Sequence, residues 1–136
     1  MFFLLAPSTA ALAFDACRDT ISSAESDARK YVKLVRQANK HIRKADDLGV
    51  LSGEYGVTRP KHYCEQIDLA DDLLRKAWEN LASASKGMRH ASIRLSCGYE
   101  GWRGLDEIIQ SYLESRDTLE ERQASVTTVL DRICSK

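Results

Sequence analysis

The stretch YCEQIDLADDLLRKAWENLASASKGMRHASIRL, residues 63–95, decides the fold of this 136-residue chain. Its small and apolar residues recur at alternating steps of four and three, the heptad spacing of a helix that packs along another helix. The members of this seam are Tyr63, Ile67, Ala70, Leu74, Ala77, Leu81, Ala84, Met88, Ala91 and Leu95. Pro60 suits the first turn of such a helix and Gly98 suits its end, so we predict one helix over 60–97.

Gly87 lies inside this seam without disturbing its phase. A glycine in a helix interior costs about 1 kcal/mol relative to alanine, and the unbroken phase predicts that the helix tolerates this cost. The alternative is a break at Gly87, because an isolated glycine weakens any helical assignment.

Two further heptad seams occur in the sequence, one before and one after the seam at 63–95. The first consists of Cys17, Ile21, Ala24, Ala28, Tyr31, Val35, Ala38, Ile42 and Ala45. It predicts a helix over about 16–48 that ends at Gly49. The third consists of Leu105, Ile109, Tyr112, Leu119, Val126, Leu130 and Ile133, with Arg116 and Gln123 in two of its positions. It predicts a helix over about 103–134, whose wider apolar face is typical of a helix with two neighbours.

Three helices of similar length joined by short connections run up, down and up, so we predict an all-α, coiled-coil-like, antiparallel three-helix bundle. In this topology Cys17 and Cys97 lie at one end, and Cys64 and Cys134 lie at the other. The pairing Cys17–Cys97 with Cys64–Cys134 is the only one that avoids spanning a rod of about 45 Å. We therefore predict two disulfides, one at each end of the bundle.

The alanines of the seams predict how closely the first two helices pack. Alanine recurs every seventh residue in the second helix, and it follows the same period in much of the first. Small side chains at one heptad position let two helices approach to the short end of the usual range of about 8 to 10 Å. That approach leaves no room for a haem or a lipid between them, so no cofactor is predicted.

The N-terminal residues indicate export. The run MFFLLAPSTAALAF has the length of a signal-peptide core, and Ala11-Leu12-Ala13 matches an A-x-A cleavage site. We therefore expect a signal peptide at 1–13 and a single mature domain at 14–136, in the periplasm or outside the cell. An even number of cysteines in an exported chain agrees with two disulfides. The alternatives are a buried N-terminal helix and a lipoprotein signal ending at Cys17.

The charges balance overall but are unevenly distributed. Twenty basic and twenty acidic residues give a formal net charge of zero, which argues against a nucleic-acid partner. Seven cations occur between Ala28 and Ala45 without an acid: Arg29, Lys30, Lys33, Arg36, Lys40, Arg43 and Lys44. One interpretation pairs them with acidic edges of the other helices. The other is a basic face for an anionic surface or partner.

No motif for catalysis or metal binding is present. None of His41, His62 and His90 has a Glu three residues before it, and the His-Glu-x-x-His, G-x-S-x-G and P-loop patterns are absent. His62 and Glu65 are one helical turn apart, but a metal site would need further ligands. We therefore predict neither a metal site nor catalytic residues, and no enzymatic activity.

The aromatic residues supply the candidate binding site. Tyr99 and Trp102 lie in a glycine-rich connection at the Cys17–Cys97 end, where an aromatic side chain can either anchor a partner or cap the core. Trp78 lies one residue off its seam, which favours packing against the third helix. We expect a small exported binding protein, a monomer or weak homodimer without a membrane span, whose partner is another protein. The alternative is a chaperone-like or structural helical protein.

Overall fold

The computed structural model describes residues 9–48 and 60–134, and both ranges are almost entirely helical, with no strand. The helices are α1 at Thr9–Leu48, α2 at Pro60–Arg89 with a π-helical turn at His90–Arg94, a 3-10 turn at Cys97–Glu100, and α3 at Leu105–Val129 with a π-helical turn at Leu130–Cys134. This architecture confirms the predicted all-α class. Gly49, the predicted end of the first helix, lies outside the described residues.

Two disulfides join the ends of the bundle as predicted. Cys17 is bonded to Cys97 with 5.6 Å between the Cα atoms, and Cys64 is bonded to Cys134 with 5.5 Å between them. Each bond joins the start of one helix to the end of another. The three helices therefore run up, down and up, with one disulfide at each end of the bundle.

The alanine seams bring α1 and α2 together, and these helices form the most closely packed pair. Ala38, Ala45 and the four heptad-spaced alanines of α2 are completely buried. A Cβ atom placed on Gly87 would lie only 3.1 Å from the Cβ of Ala24. α2 continues through Gly87 as predicted, and the missing side chain there permits the close approach of α1.

The core consists of two clusters, one towards each disulfide. The first contains Cys17, Ile21, Ala24, Met88, Ala91, Cys97 and Leu105. The second contains Ala38, Ala45, Ile67, Ala70, Leu74, Ala77, Leu119 and Val126. α3 supplies only three fully buried side chains to these clusters, so most of the core belongs to α1 and α2.

Two helix boundaries differ from the prediction. α1 is already helical at Thr9, the first described residue and seven residues before the predicted start, because residues 9–15 include several good helix formers and no proline or glycine. The second helical segment ends at Arg94, before the predicted end near Gly98, and Ser96 follows it in the left-handed conformation with φ 50°. Because Ser96 turns the chain earlier, Cys97 lies in the 3-10 turn after the helix.

Trp78 packs against α3, as its position off the seam predicts. Its indole N–H donates a hydrogen bond of 3.0 Å to Oε1 of Glu120, and the Arg116 guanidinium lies 5.5 Å from the ring centroid. A guanidinium over an indole ring is attracted by the ring's negative face. This contact explains how a polar residue occupies a seam position of α3.

Candidate functional site

The connection between α2 and α3 forms a compact turn at the Cys17–Cys97 end. Three residues in it adopt left-handed backbone conformations: Ser96 with φ 50°, Gly101 with φ 97° and Gly104 with φ 75°. The backbone N–H of Tyr99 donates to the carbonyl of Ser96 at 3.0 Å, and that of Trp102 donates to the carbonyl of Cys97 at 3.2 Å. The disulfide and these bonds hold the turn in place against the bundle.

This turn places the two predicted binding residues in different environments. Tyr99 is 93 % exposed, whereas Trp102 is half-buried and packs beside Leu105 in the first core cluster. The ring of Trp102 lies 4.6 Å from the ring of Phe14, with an angle of 43° between the planes. Trp102 therefore caps the core together with α1, and Tyr99 remains exposed to solvent.

An open depression of about 410 Å³ lies beside these two side chains. Arg103, Asp106 and Glu107 also line it, so polar groups of both signs surround the aromatic residues. Oγ of Ser92 donates to Oδ1 of Asp106 at 3.2 Å, which ties the start of α3 to the end of α2. The end of the bundle thus combines an exposed aromatic side chain with a polar rim, as protein-binding surfaces do.

The second candidate surface lies along α1. We call it the cationic face, and it consists of Arg29, Lys30, Lys33, Arg36, Lys40, Arg43 and Lys44. All seven side chains are exposed. Within the described residues, no carboxylate oxygen lies within 4.0 Å of a charged nitrogen of this face.

The predicted pairing of these cations with acidic helix edges is therefore absent from the described residues. The acids of α2 bind cations of their own helix: Asp71 lies 2.8 Å from Arg75, and Asp72 lies 3.0 Å from Lys76. Pairs four residues apart form on any helix and need no tertiary alignment. Because these acids are paired with cations of α2, they do not neutralise the cationic face of α1.

A depression of about 770 Å³ adjoins this face and is bordered by Tyr112 of α3. Burial raises the pKa of the Tyr112 phenol, and the nearby Glu25 carboxylate raises it further, while Arg29 acts in the opposite direction. The phenol is therefore neutral at physiological pH. It offers a hydrogen-bond donor next to the cations.

The histidines and acidic residues singled out in the sequence form no metal site in the described part of the chain. Within residues 9–48 and 60–134, no group of three His, Cys, Asp or Glu side chains could hold one. Nδ1 of His62 lies 3.7 Å from Glu65, and Nδ1 of His41 lies 2.6 Å from Oε1 of Gln66. None of the helices in these ranges has a stretch that is apolar and long enough to cross a bilayer.

Comparisons of the chain with protein-family models, with curated proteins and with solved structures found no match.

Proposed function

We propose that this protein is a small exported binding protein without catalytic activity, which acts in the periplasm or outside the cell. Its two disulfides and the signal-like residues 1–13 support an oxidising compartment. Its partner is another protein, which it meets through the turn that carries Tyr99 and Trp102. The chain acts as a monomer or a weak homodimer.

The observation that carries this proposal is the exposure of Tyr99. An aromatic ring that is 93 % exposed stays hydrated and makes few packing contacts unless a partner covers it. The turn below it is fixed by a disulfide and by backbone hydrogen bonds, so little conformational entropy is lost when a partner binds. Tyrosine is also among the residues that most often dominate binding energy at protein interfaces.

Site-specific photocrosslinking tests the proposal. The photoreactive residue p-benzoylphenylalanine replaces Tyr99 in the protein expressed in its native host, and the crosslinked products are identified by mass spectrometry. We expect one discrete product that contains a single partner protein. Excess unlabelled wild-type protein should compete for that product, whereas excess Tyr99→Ser protein should not.

A matched probe at Ile133 provides the control, because this side chain is 47 % exposed and lies beside the opposite disulfide. Crosslinking from Ile133 should not yield the same partner. An identical set of products from both positions, or none from Tyr99, would contradict the proposal. Circular dichroism of the Tyr99→Ser protein should match the wild type, since the side chain makes few contacts.

The cationic face favours the second candidate function, a chaperone-like or structural protein that presents charged helices to unfolded or anionic clients. Its seven exposed cations have no carboxylate partner among the described residues. Such a protein should suppress the aggregation of several unrelated clients. This activity should be lost on charge reversal at Arg36 and Lys40, and it should survive Tyr99→Ser.

A further inference from the structure

We propose that the cationic face of α1 binds the surface of a bilayer that contains anionic phospholipids, so that the protein associates peripherally with a membrane. This inference uses a different surface from the Tyr99 turn and does not depend on the proposed partner. It gives a role to the longest run of like-charged residues in the described parts of the chain.

The heptad geometry turns the cationic face away from the rest of the bundle. Seam residues of α1 such as Ala38 and Ala45 are completely buried, and they occupy the first position of each heptad. The cations occupy the third, sixth and seventh positions, which lie on the outer side and one flank of the helix. From Arg29 to Arg43 they extend over about 21 Å of helix axis.

The spacing of these cations along α1 destabilises the helix. Arg29, Lys33, Arg36, Lys40 and Arg43 follow one another at steps of four and three. Like charges at this spacing repel one another and destabilise a helix. Within the described residues no acid of the protein lies within 4.0 Å to relieve the repulsion, so an external anion would relieve it.

The chemistry of the face fits an anionic surface better than a protein. Among residues 29–44 the one large apolar side chain that is exposed is Val32, so the face offers little of the apolar centre that protein interfaces bury. Each Lys or Arg near an anionic bilayer strengthens binding by about fivefold. An exposed ion pair between proteins contributes between nothing and about fivefold, and it also requires the two side chains to be fixed. Seven cations therefore give useful affinity only when they face many anions at once.

The acids elsewhere in the molecule do not prevent this contact. The acidic residues of α3 lie on a helix that packs mainly against α2 and makes few contacts with α1. Exposed charges farther apart than a Debye length, about 8 Å at physiological salt, are largely screened, so repulsion between those acids and the bilayer is weak. On α1 itself the nearest acids, Glu25, Asp27, Asp46 and Asp47, lie before and after the run of cations. The protein thus has one strongly basic side although its formal net charge is zero.

Vesicle co-sedimentation tests the proposal with the full oxidised chain. We expect binding to phosphatidylcholine vesicles that contain phosphatidylglycerol, no binding to pure phosphatidylcholine, and loss of binding when the salt is raised to about 0.5 M. The double variant Arg36→Gln/Lys40→Gln should bind about 30-fold more weakly, because two cations are removed. Arg36→Lys should bind like the wild type.

The double variant Lys86→Gln/Arg89→Gln is the matched control. It removes two exposed cations from the last turn of α2 and leaves the cationic face intact, so its vesicle binding should change little. Tyr99→Ser should also bind vesicles normally, which separates this surface from the proposed protein-binding turn. Circular dichroism and the intact mass under non-reducing conditions verify that each variant is folded and oxidised.

Three results would overturn the proposal. The first is equal binding to neutral and anionic vesicles. The second is an equal loss of binding in the α2 control variant. The third is tight binding to heparin or to a DNA duplex with no binding to anionic vesicles, because the face would then recognise a soluble polyanion.

Discussion

Gly87 controls the separation of α1 and α2 at the level of a single residue. The methyl group of Ala24 occupies the space into which a side chain at position 87 would point, and the carbonyl oxygen of Thr20 lies behind it at 3.9 Å. A larger residue there could be accommodated only if the two helices moved apart. The cost of a glycine in the helix is therefore balanced by the packing that it permits.

The variant Gly87→Leu should lower the free energy of unfolding by about 2–3 kcal/mol, the usual cost of overpacking a tight core. Gly87→Ala should be nearly neutral, because a gain of about 1 kcal/mol in helix propensity offsets a contact that is slightly too short. Urea unfolding followed by circular dichroism measures both changes. The control is Gly98→Leu, since no atom lies within 4 Å of a Cβ built there. A loss of stability in the control as large as that of Gly87→Leu would contradict this explanation.

At the level of the elements, α3 is held less tightly than the other two helices. Its seam contains Arg116 and Gln123, and its contact with α2 includes the polar group formed by Trp78, Arg116 and Glu120. The guanidinium of Arg116 lies over the indole ring, and the Arg116 side chain is about one-third exposed. This is the usual compromise for a long cationic side chain at the edge of a core.

The variant Arg116→Ala should destabilise the protein by about 1–2 kcal/mol, through loss of packing and of the contact between the cation and the ring. Arg116→Met should recover at least half of that loss, because an unbranched side chain still covers the indole. Glu120→Gln should change the stability little, since the carboxylate is exposed and the neutral amide can still accept the hydrogen bond. Equal losses for Ala and Met would show that the charge matters more than the packing. Chemical unfolding curves for the four proteins provide the comparison.

The heptad pattern predicted the elements well because it reports burial directly. Every residue of the α2 seam from Ile67 to Ala91 is buried, and the polar residues between them are mostly exposed. The left-handed turn at Ser96 was not predictable, because serine has no particular preference for positive φ and Gly98 is the better candidate. The sequence left open whether the cationic face is paired with acids, since it does not show whether the acids pair within their own helix or with another.

For the molecule as a whole, the two disulfides differ in their protection from solvent. Cys17 and Cys97 are completely buried, whereas Cys64 and Cys134 are partly exposed beside an open depression lined by Glu65. An attacking thiolate needs direct access to a sulfur atom. The bundle therefore has one disulfide that is protected from solvent and one that is accessible.

Limiting reductant at neutral pH should open Cys64–Cys134 before Cys17–Cys97. Alkylation of the released thiols followed by peptide mass spectrometry identifies which bond has opened at each time. The same treatment in denaturant should remove the difference, because both bonds are then equally accessible. Simultaneous opening of both bonds in the native protein, or earlier opening of Cys17–Cys97, would contradict the claim that burial protects Cys17–Cys97 from reduction.

The disulfide pairing followed from the topology once three helices of matching length were recognised, because distance eliminated the other pairings. The binding role of Tyr99 and Trp102 stays a prediction. The sequence placed both in the same connection, but it could not show that Trp102 turns inwards to Phe14 while Tyr99 points outwards. That distinction depends on the left-handed residues of the turn, whose effect appears only when the backbone is in place.

The two covalent links interlace along the chain, since the first cysteine joins the third and the second joins the fourth. An oxidant that acts on thiols in the order of their synthesis would join Cys17 to Cys64, and this incorrect bond would have to be reduced or exchanged. Correct pairing thus requires either that the helices associate before oxidation or that an isomerase reshuffles the early product. If oxidation precedes helix association, cells that lack such an isomerase should accumulate misbridged forms of this protein.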